Sequence, residues 1–212
     1  GTNMTKQWLE SMRPHLDWLG LSVDASNDEI HAIMGRANAR EFKEGVSGHL
    51  QRALKIARIA NGLGYGIKLN TVVTSANYSD DMTEIVKQIN PTRWKIFQVL
   101  KIEDENDGRV EALLISESRF DQYIERHLQS LASTSIQVVP ENNDAMLGTY
   151  AMIDALGRVY TNKNGYYLYS EDTIQDFGFA HCWNQVSPGF SHEAFGARGG
   201  EWDWESTMGV AL

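Results

Sequence analysis

The sequence predicts an α/β fold, and three observations carry that expectation. Apolar segments with strand character at residues 16–23, 65–73 and 92–100 alternate with segments of helical period at 28–34, 46–57 and 79–89. Glycine and proline mark the handovers, at Gly35, Gly62, Gly64 and Pro91. Strand, helix, strand, helix, strand at this spacing is the pattern of parallel βα units, which an open doubly wound sheet and a full or partial barrel satisfy equally. Beyond Asn106 the rhythm breaks, and a less periodic C-terminal portion follows.

Composition narrows the function. With 212 residues and 42% hydrophobic content the chain can bury a sizeable core. A net charge of -9 argues against a bulk electrostatic grip on a nucleic-acid polymer or an acidic membrane surface, so any phosphate is held by a few placed cations. Cys182 is the only cysteine. It excludes an intrachain disulfide and any metal cluster needing several thiolates from this chain alone, and a reducing, cytoplasmic setting is expected. No apolar run is long enough to span a bilayer, and GTNMTKQWLE lacks the layout of a signal peptide. Gly1 and Thr2 offer a turn and helical character follows at once, as expected of a stretch within a larger fold.

The elements follow in order. Residues 5–12 read as a short helix ended by Pro14, and 16–23 as an apolar strand. Asn27 or Ser26 can cap a helix over 28–34, whose acidic first turn suits the helix dipole, with Gly35 and Arg36 as a loop. Val46, His49, Leu50, Ala53, Leu54 and Ala57 form a helical stripe that Gly62 and Gly64 stop. After the strand at 65–73, Ser79 is placed to cap a helix bearing Met82, Ile85, Val86 and Ile89, which Pro91 closes before the strand at 92–100. Ser116 is placed to cap a helix with Phe120, Tyr123, Ile124, His127 and Leu128 on one face. Residues 136–139 read as a short strand ended by Pro140, and 150–154 with 158–160 as a hairpin about Ala155-Leu156-Gly157. From Thr161 onward the chain reads as an extension laid over the mouth of the sheet. Ligands in such folds gather at the carboxyl ends of the strands, here 22–27, 70–75 and 100–106.

Two lysines stand out. At period two, Arg93, Lys95, Phe97 and Val99 share one face of their strand, and Lys68 sits likewise in the apolar run GIKLNTVV. A strand lysine among apolar neighbours either reaches solvent and pairs with a carboxylate or meets an anion. Two of them on consecutive parallel strands point to a shared phosphate or carboxylate ligand. Arg36 alone reads as a surface residue. No two histidines have metal-ligand spacing, and His49 and His127 read as packed or hydrogen-bonded on apolar helix faces. Glu103, Asp104, Glu105 and Asp107 form an acidic loop, by default solvated, that is also able to hold magnesium beside a phosphate. Cys182 reads as a small buried residue and Gly199-Gly200 as a backbone turn.

The segments LGLSVDASNDEIHAIMGR, GIKLNTVV, NPTRWKIFQVLKIEDEN, VVPENN and ARGGEW, in this order and spacing, closely resemble viperin-family radical S-adenosylmethionine enzymes, to about Trp204. The resemblance implies the later portion of a partial (βα)6 radical-SAM barrel over residues 1–106 and an α+β C-terminal extension over 107–212 that covers the nucleotide site. It implies an antiviral enzyme that uses S-adenosylmethionine, a [4Fe-4S] cluster and an electron donor. Such an enzyme converts a nucleoside triphosphate (CTP, GTP or UTP) to its 3′-deoxy-3′,4′-didehydro chain terminator. Carried over by position, Ser22 and Arg36 contact S-adenosylmethionine, with Arg36 meeting the carboxylate of that cofactor. Lys68, Asn70 and Lys95 meet the nucleotide, and Tyr150 lies near the sugar as a proton or hydrogen relay, making Lys68 and Tyr150 the candidate catalytic pair. Lys163 and Arg198 belong to the nucleotide-covering segment. The family's CxxxCxxC motif and its GGEP-like loop are absent, and ARANAREFK, with Ala37 and Ala39, stands where animal relatives carry a basic glycine-rich loop. The chain is therefore expected to carry the substrate half of the site and to be inactive alone. The alternatives are a non-catalytic nucleotide-binding protein and a barrel enzyme using Lys68 or Lys95 as a Schiff-base amine.

Overall fold

The computed structural model describes residues 4–202. The turn expected at Gly1 and Thr2, and the resemblance beyond Trp202, lie outside them. The described chain packs as two compact units, the first taking residues 4–98 together with Ile115–Pro140, the second Val99–Leu114 and residues 141–202. This packing differs from a division at residue 106. The helix and strand after Ser116 join the first unit because they extend its sheet and its core.

The first unit runs α1 (Lys6–Met12), β1 (Trp18–Ser22), α2 (Asp28–Ile33), α3 (Ala39–Glu44), α4 (His49–Gly62), β2 (Gly66–Val73), α5 (Thr83–Ile89), β3 (Arg93–Gln98), α6 (Glu117–Leu131) and β4 (Gln137–Glu141). Its sheet has the order β1-β2-β3-β4, with β1, β2 and β3 mutually parallel. Alternate residues Leu19 and Leu21, Ile67 and Leu69, and Trp94 and Ile96 enter one apolar core with Leu50, Ile56 and Ala57 of α4, Val86 and Ile89 of α5, and Phe120 and Tyr123 of α6. The helices cover that face of the sheet. Hydrophobic burial in this core, about 25 cal/mol per Å² of apolar surface, is the main force holding the unit together.

Caps and breaks explain where the elements begin and end. Thr5, Asn27 and Ser116 accept from backbone N–H groups at the starts of α1, α2 and α6. At α5 the expected Ser79 cap is not made; Asp81 accepts from the Thr83 N–H instead, and the helix starts four residues later. The helix α4 starts at His49, leaving Val46 exposed, so its buried stripe is Leu50, Ala53, Ile56, Ala57 and Ala60. The unforeseen α3 is a six-residue helix with no buried residue, held by an Asn38–Glu41 capping box and ended at Gly45 with φ 67°. The strand β4 runs through Pro140, which the end position of β4 in the sheet order permits, because an outer strand need not donate every N–H.

The second unit contains α7 (Asn143–Met146), β5 (Ala151–Ile153), β6 (Arg158–Thr161), β7 (Leu168–Thr173), α8 (Ile174–Phe177), α9 (Phe179–Val186) and α10 (His192–Ala197). The expected hairpin forms: β5 and β6 pair antiparallel, Asp154 accepts from the N–H groups of Leu156 and Arg158, and Gly157 supplies φ 83°. The strand β7 adds antiparallel to β6, and α9 closes a small core of Val159, Cys182 and Val186. The protein is thus a mixed α/β structure with a parallel sheet and a separate antiparallel meander. Among the described residues, no helix is long and apolar enough to cross a membrane.

Candidate functional site

The parallel register of the first sheet decides which side chains meet. Ser22 lies beside Asn70 and Asn70 beside Lys95, while one row earlier Gly20 lies beside Lys68 and Lys68 beside Arg93. Residues in register on parallel strands share a face, so Ser22, Lys68, Asn70, Arg93 and Lys95 all project from the face opposite the apolar core. Lys95 and Arg93 are only 7% and 3% exposed. Such burial is costly for a cation unless polar or anionic groups answer it. The Lys95 ammonium lies 5.6 Å from the Phe97 ring centroid, and Arg93 Nη1 donates to Gln137 Oε1 at 3.3 Å. Asn70 Oδ1 is buried without a hydrogen-bond partner among the described residues. Arg93, read from the sequence only as a face-sharing residue, thus belongs to the same cationic surface, and its register opposite Lys68 was the missing signal.

Beside β1 a cleft of about 460 Å³ is lined by Ser22, the loop from Gly35 to Asn38, and His49, Arg52 and Ile56 of α4. Arg36, 39% exposed, donates through Nε to Asp24 Oδ2 at 2.5 Å, and Asp24 Oδ1 accepts from the Val72 N–H at 2.8 Å, tying the ends of β1 and β2 together. The loop is held from beneath by His31, whose Nε2 accepts from the N–H groups of Asp24 and Ala25 at 3.2 Å. Burial, with the neighbouring His49, lowers the His31 pKa, so the ring stays neutral and keeps this acceptor. His49 donates from Nε2 to the Ser22 carbonyl at 2.6 Å. His127 sits in the core between Tyr123 O and the Met82 N–H, with its pKa lowered by burial. Both rings are hydrogen-bonded, as read from their helix faces.

In the second unit the carboxylate of Glu141 gathers two of the predicted residues. Its Oε2 accepts from the Tyr150 hydroxyl at 2.5 Å and its Oε1 from Arg198 Nη1 at 2.9 Å, while Arg198 Nη2 donates to the Thr149 carbonyl at 2.8 Å. The guanidinium carbon lies 4.3 Å from the Tyr150 ring centroid and 5.1 Å from that of Phe195. Burial, then the hydrogen bond to Glu141, push the Tyr150 pKa well up, so the phenol remains protonated. Glu141 was missed in the sequence although it stands in VVPENN, because a carboxylate after proline reads as a solvated turn residue. Lys163 is placed in a short turn where its ammonium donates to the Pro188 carbonyl at 2.9 Å. The acidic loop is ordered by Asn106, which bonds Ile102 N and Leu100 O, and Glu105 accepts from the Tyr169 hydroxyl. Among the described residues, no group of three or more His, Cys, Asp or Glu side chains is arranged to hold a metal ion.

No family model matches the chain. It is 33% identical to an S-adenosylmethionine-dependent nucleotide dehydratase of Flammeovirga pacifica, over 97% of this chain and 66% of that one. It is also 31% identical to the S-adenosylmethionine-dependent nucleotide dehydratase RSAD2 of Oncorhynchus mykiss, over 96% of this chain and 56% of that one. The chain belongs to this viperin-like family. A further member, from Lacinutrix mariniflava, matches at 29% identity over 100% of this chain and 42% of its own length, so the chain spans about two fifths to two thirds of these relatives. Among solved structures, Streptococcus suis SuiB bound to S-adenosylmethionine superposes with a TM-score of 0.50 at 12% identity, over 86% of this chain and 47% of that one, a likeness of fold alone. One cofactor implied by family resemblance does not fit these residues. An iron–sulfur cluster needs several thiolates, and the sole cysteine, Cys182, is buried against Val159 and Val186.

Proposed function

We propose that this chain carries the nucleotide-binding half of a viperin-like nucleotide dehydratase. The observation that supports the reading is the register of the first sheet, which brings Ser22, Lys68, Asn70 and Lys95 to one polar face opposite the core. On this reading Lys68 and Lys95, with Asn70 between them, bind the triphosphate and sugar of CTP, GTP or UTP. Each charge-assisted hydrogen bond to phosphate contributes about 1.5–3 kcal/mol. Ser22 and Arg36 border the cleft beside β1, and Arg36 keeps enough guanidinium exposed to meet the carboxylate of S-adenosylmethionine. S-adenosylmethionine supplies the hydrogen-abstracting group when bound. The sheet then forms the later strands of a partial barrel, with the polar face inward.

Tyr150, held protonated, is suited to donate a proton or hydrogen atom to the sugar, and Lys68 to steady the charge that develops as water leaves. Lys163 and Arg198 act on the nucleotide from the C-terminal portion. The product is the 3′-deoxy-3′,4′-didehydro nucleotide, a chain terminator in antiviral defence, made in the cytoplasm. The thiolates for the cluster and the contact for an electron donor come from outside these 212 residues. A second reading, nucleotide binding without turnover, is favoured by Cys182 being the sole cysteine.

Calorimetry comparing CTP, GTP and UTP with their nucleosides tests the phosphate reading. At least one triphosphate is expected to bind tenfold or more tightly than its nucleoside; equal affinity would count against a phosphate-reading face. Borohydride trapping with a carbonyl compound is expected to give no adduct at Lys68 or Lys95, and a stable adduct would favour the Schiff-base alternative.

A further inference from the structure

The Arg198 guanidinium is boxed in. Its side chain is 6% exposed, Tyr150 and Phe195 flank it, Thr149 takes one donor through its backbone carbonyl, and Glu141, 0% exposed, takes another. The same carboxylate takes the Tyr150 proton donor through its second oxygen. Glu141 therefore fixes two side chains that reach it from different elements, Arg198 at the end of α10 and Tyr150 just before β5. A carboxylate shared in this way fixes the direction of the phenol hydroxyl and, together with the Thr149 carbonyl, the rotation of the guanidinium in its plane. Arg198 Nε has no partner among the described residues, so the remaining donor capacity of the guanidinium is directed by how Glu141 and Thr149 hold it.

We propose that Glu141 is a positioning residue for nucleotide binding, fixing the Arg198 guanidinium and the Tyr150 hydroxyl in the orientation in which they serve the nucleotide, without itself touching substrate. The inference rests on the nucleotide-binding reading above, through the roles given to Arg198 and Tyr150. Charge supports it as well as geometry. A lone buried arginine or glutamate is unfavourable, and the pair neutralises both while leaving Tyr150 protonated.

The test uses the full chain with Glu141→Gln, Glu141→Asp, Arg198→Lys and the Glu141→Gln/Arg198→Lys double variant. The first readout needs no ligand: solvent exchange of the Arg198 Nε–H by 15N NMR, its signal assigned by its loss in Arg198→Lys. Exchange is expected to quicken at least tenfold in Glu141→Gln and to recover partly in Glu141→Asp, while amide signals of Val159 and Cys182 report an intact core. The second readout is affinity for CTP. Glu141→Gln and Arg198→Lys are each expected to weaken it about tenfold and the double variant no further, because both act through one guanidinium. Unchanged Arg198 exchange in folded Glu141→Gln, or losses of affinity that simply add, would overturn the proposal. Absence of CTP binding to wild type would instead overturn the nucleotide reading, and the exchange readout would still decide whether Glu141 orients Arg198.

Discussion

In the second unit one buried glutamate, Glu141, accepts from both an arginine and a tyrosine. Replacing Arg198 by Met removes the guanidinium that pairs with the buried Glu141 carboxylate. Urea denaturation is expected to show a loss of about 3–5 kcal/mol, the usual result of stranding one member of a buried pair. A change under about 1 kcal/mol would show that water reaches Glu141 freely. Histidine sets the response to acid. His31 and His127 have folded pKa values below the ordinary 6.5 because both are buried. As pH falls below about 6.5 the unfolded chain takes up these protons before the folded one does, so the stability they contribute is lost on acidification. The slope of stability against pH between about 6.5 and 5 is expected to flatten in His127→Gln; an unchanged slope would assign the acid response elsewhere. At this scale the sequence exposed Lys68 and Lys95, since period two and an apolar setting make a lysine conspicuous. It concealed Glu141, whose importance lies in partners 9 and 57 residues away.

Elements with strong periodicity or clear caps were legible, and those held by local hydrogen bonds were not. The strands β1, β2 and β3 and helices α4 and α6 follow from apolar spacing because each buries a face in one core. The helix α3 buries nothing, so no stripe announced it; Asn38 and Glu41 hold it through side-chain bonds to the backbone. Glu41 also forms a bidentate ion pair with Arg52 of α4, which joins this small helix to the wall of the cleft. Asn38→Ala is expected to cost about 1 kcal/mol by chemical denaturation, in the range for a lost N-cap. No measurable loss would mean that the Glu41–Arg52 pair alone maintains the helix. The strand β7 and helices α9 and α10 were hidden for another reason. Their spans of six to eight residues are too short for either period to register.

The two units rest on cores of unequal size, and that should be measurable. The first buries a cluster spanning three strands and four helices, whereas the second centres on Val159, Cys182 and Val186. Amides of β2 and β3 are expected to exchange with solvent at least 100-fold more slowly than those of β5 and β6, in keeping with denser apolar packing. Alternation of strands and helices was enough to predict a parallel sheet. The register that aligns Ser22, Asn70 and Lys95 came only from the folded chain, because spacing within a strand says nothing of its offset from the next. That alignment sets two conspicuous lysines on one face, the face proposed above to bind the triphosphate. Titration of CTP into wild type, Lys68→Ala and Lys95→Ala by calorimetry tests it most directly. Binding is predicted for the wild type, with a loss of about 1.5–3 kcal/mol, or roughly tenfold to a hundredfold in affinity, for each substitution. Equal affinity in all three folded proteins, or no binding by any, would contradict a triphosphate site on this face.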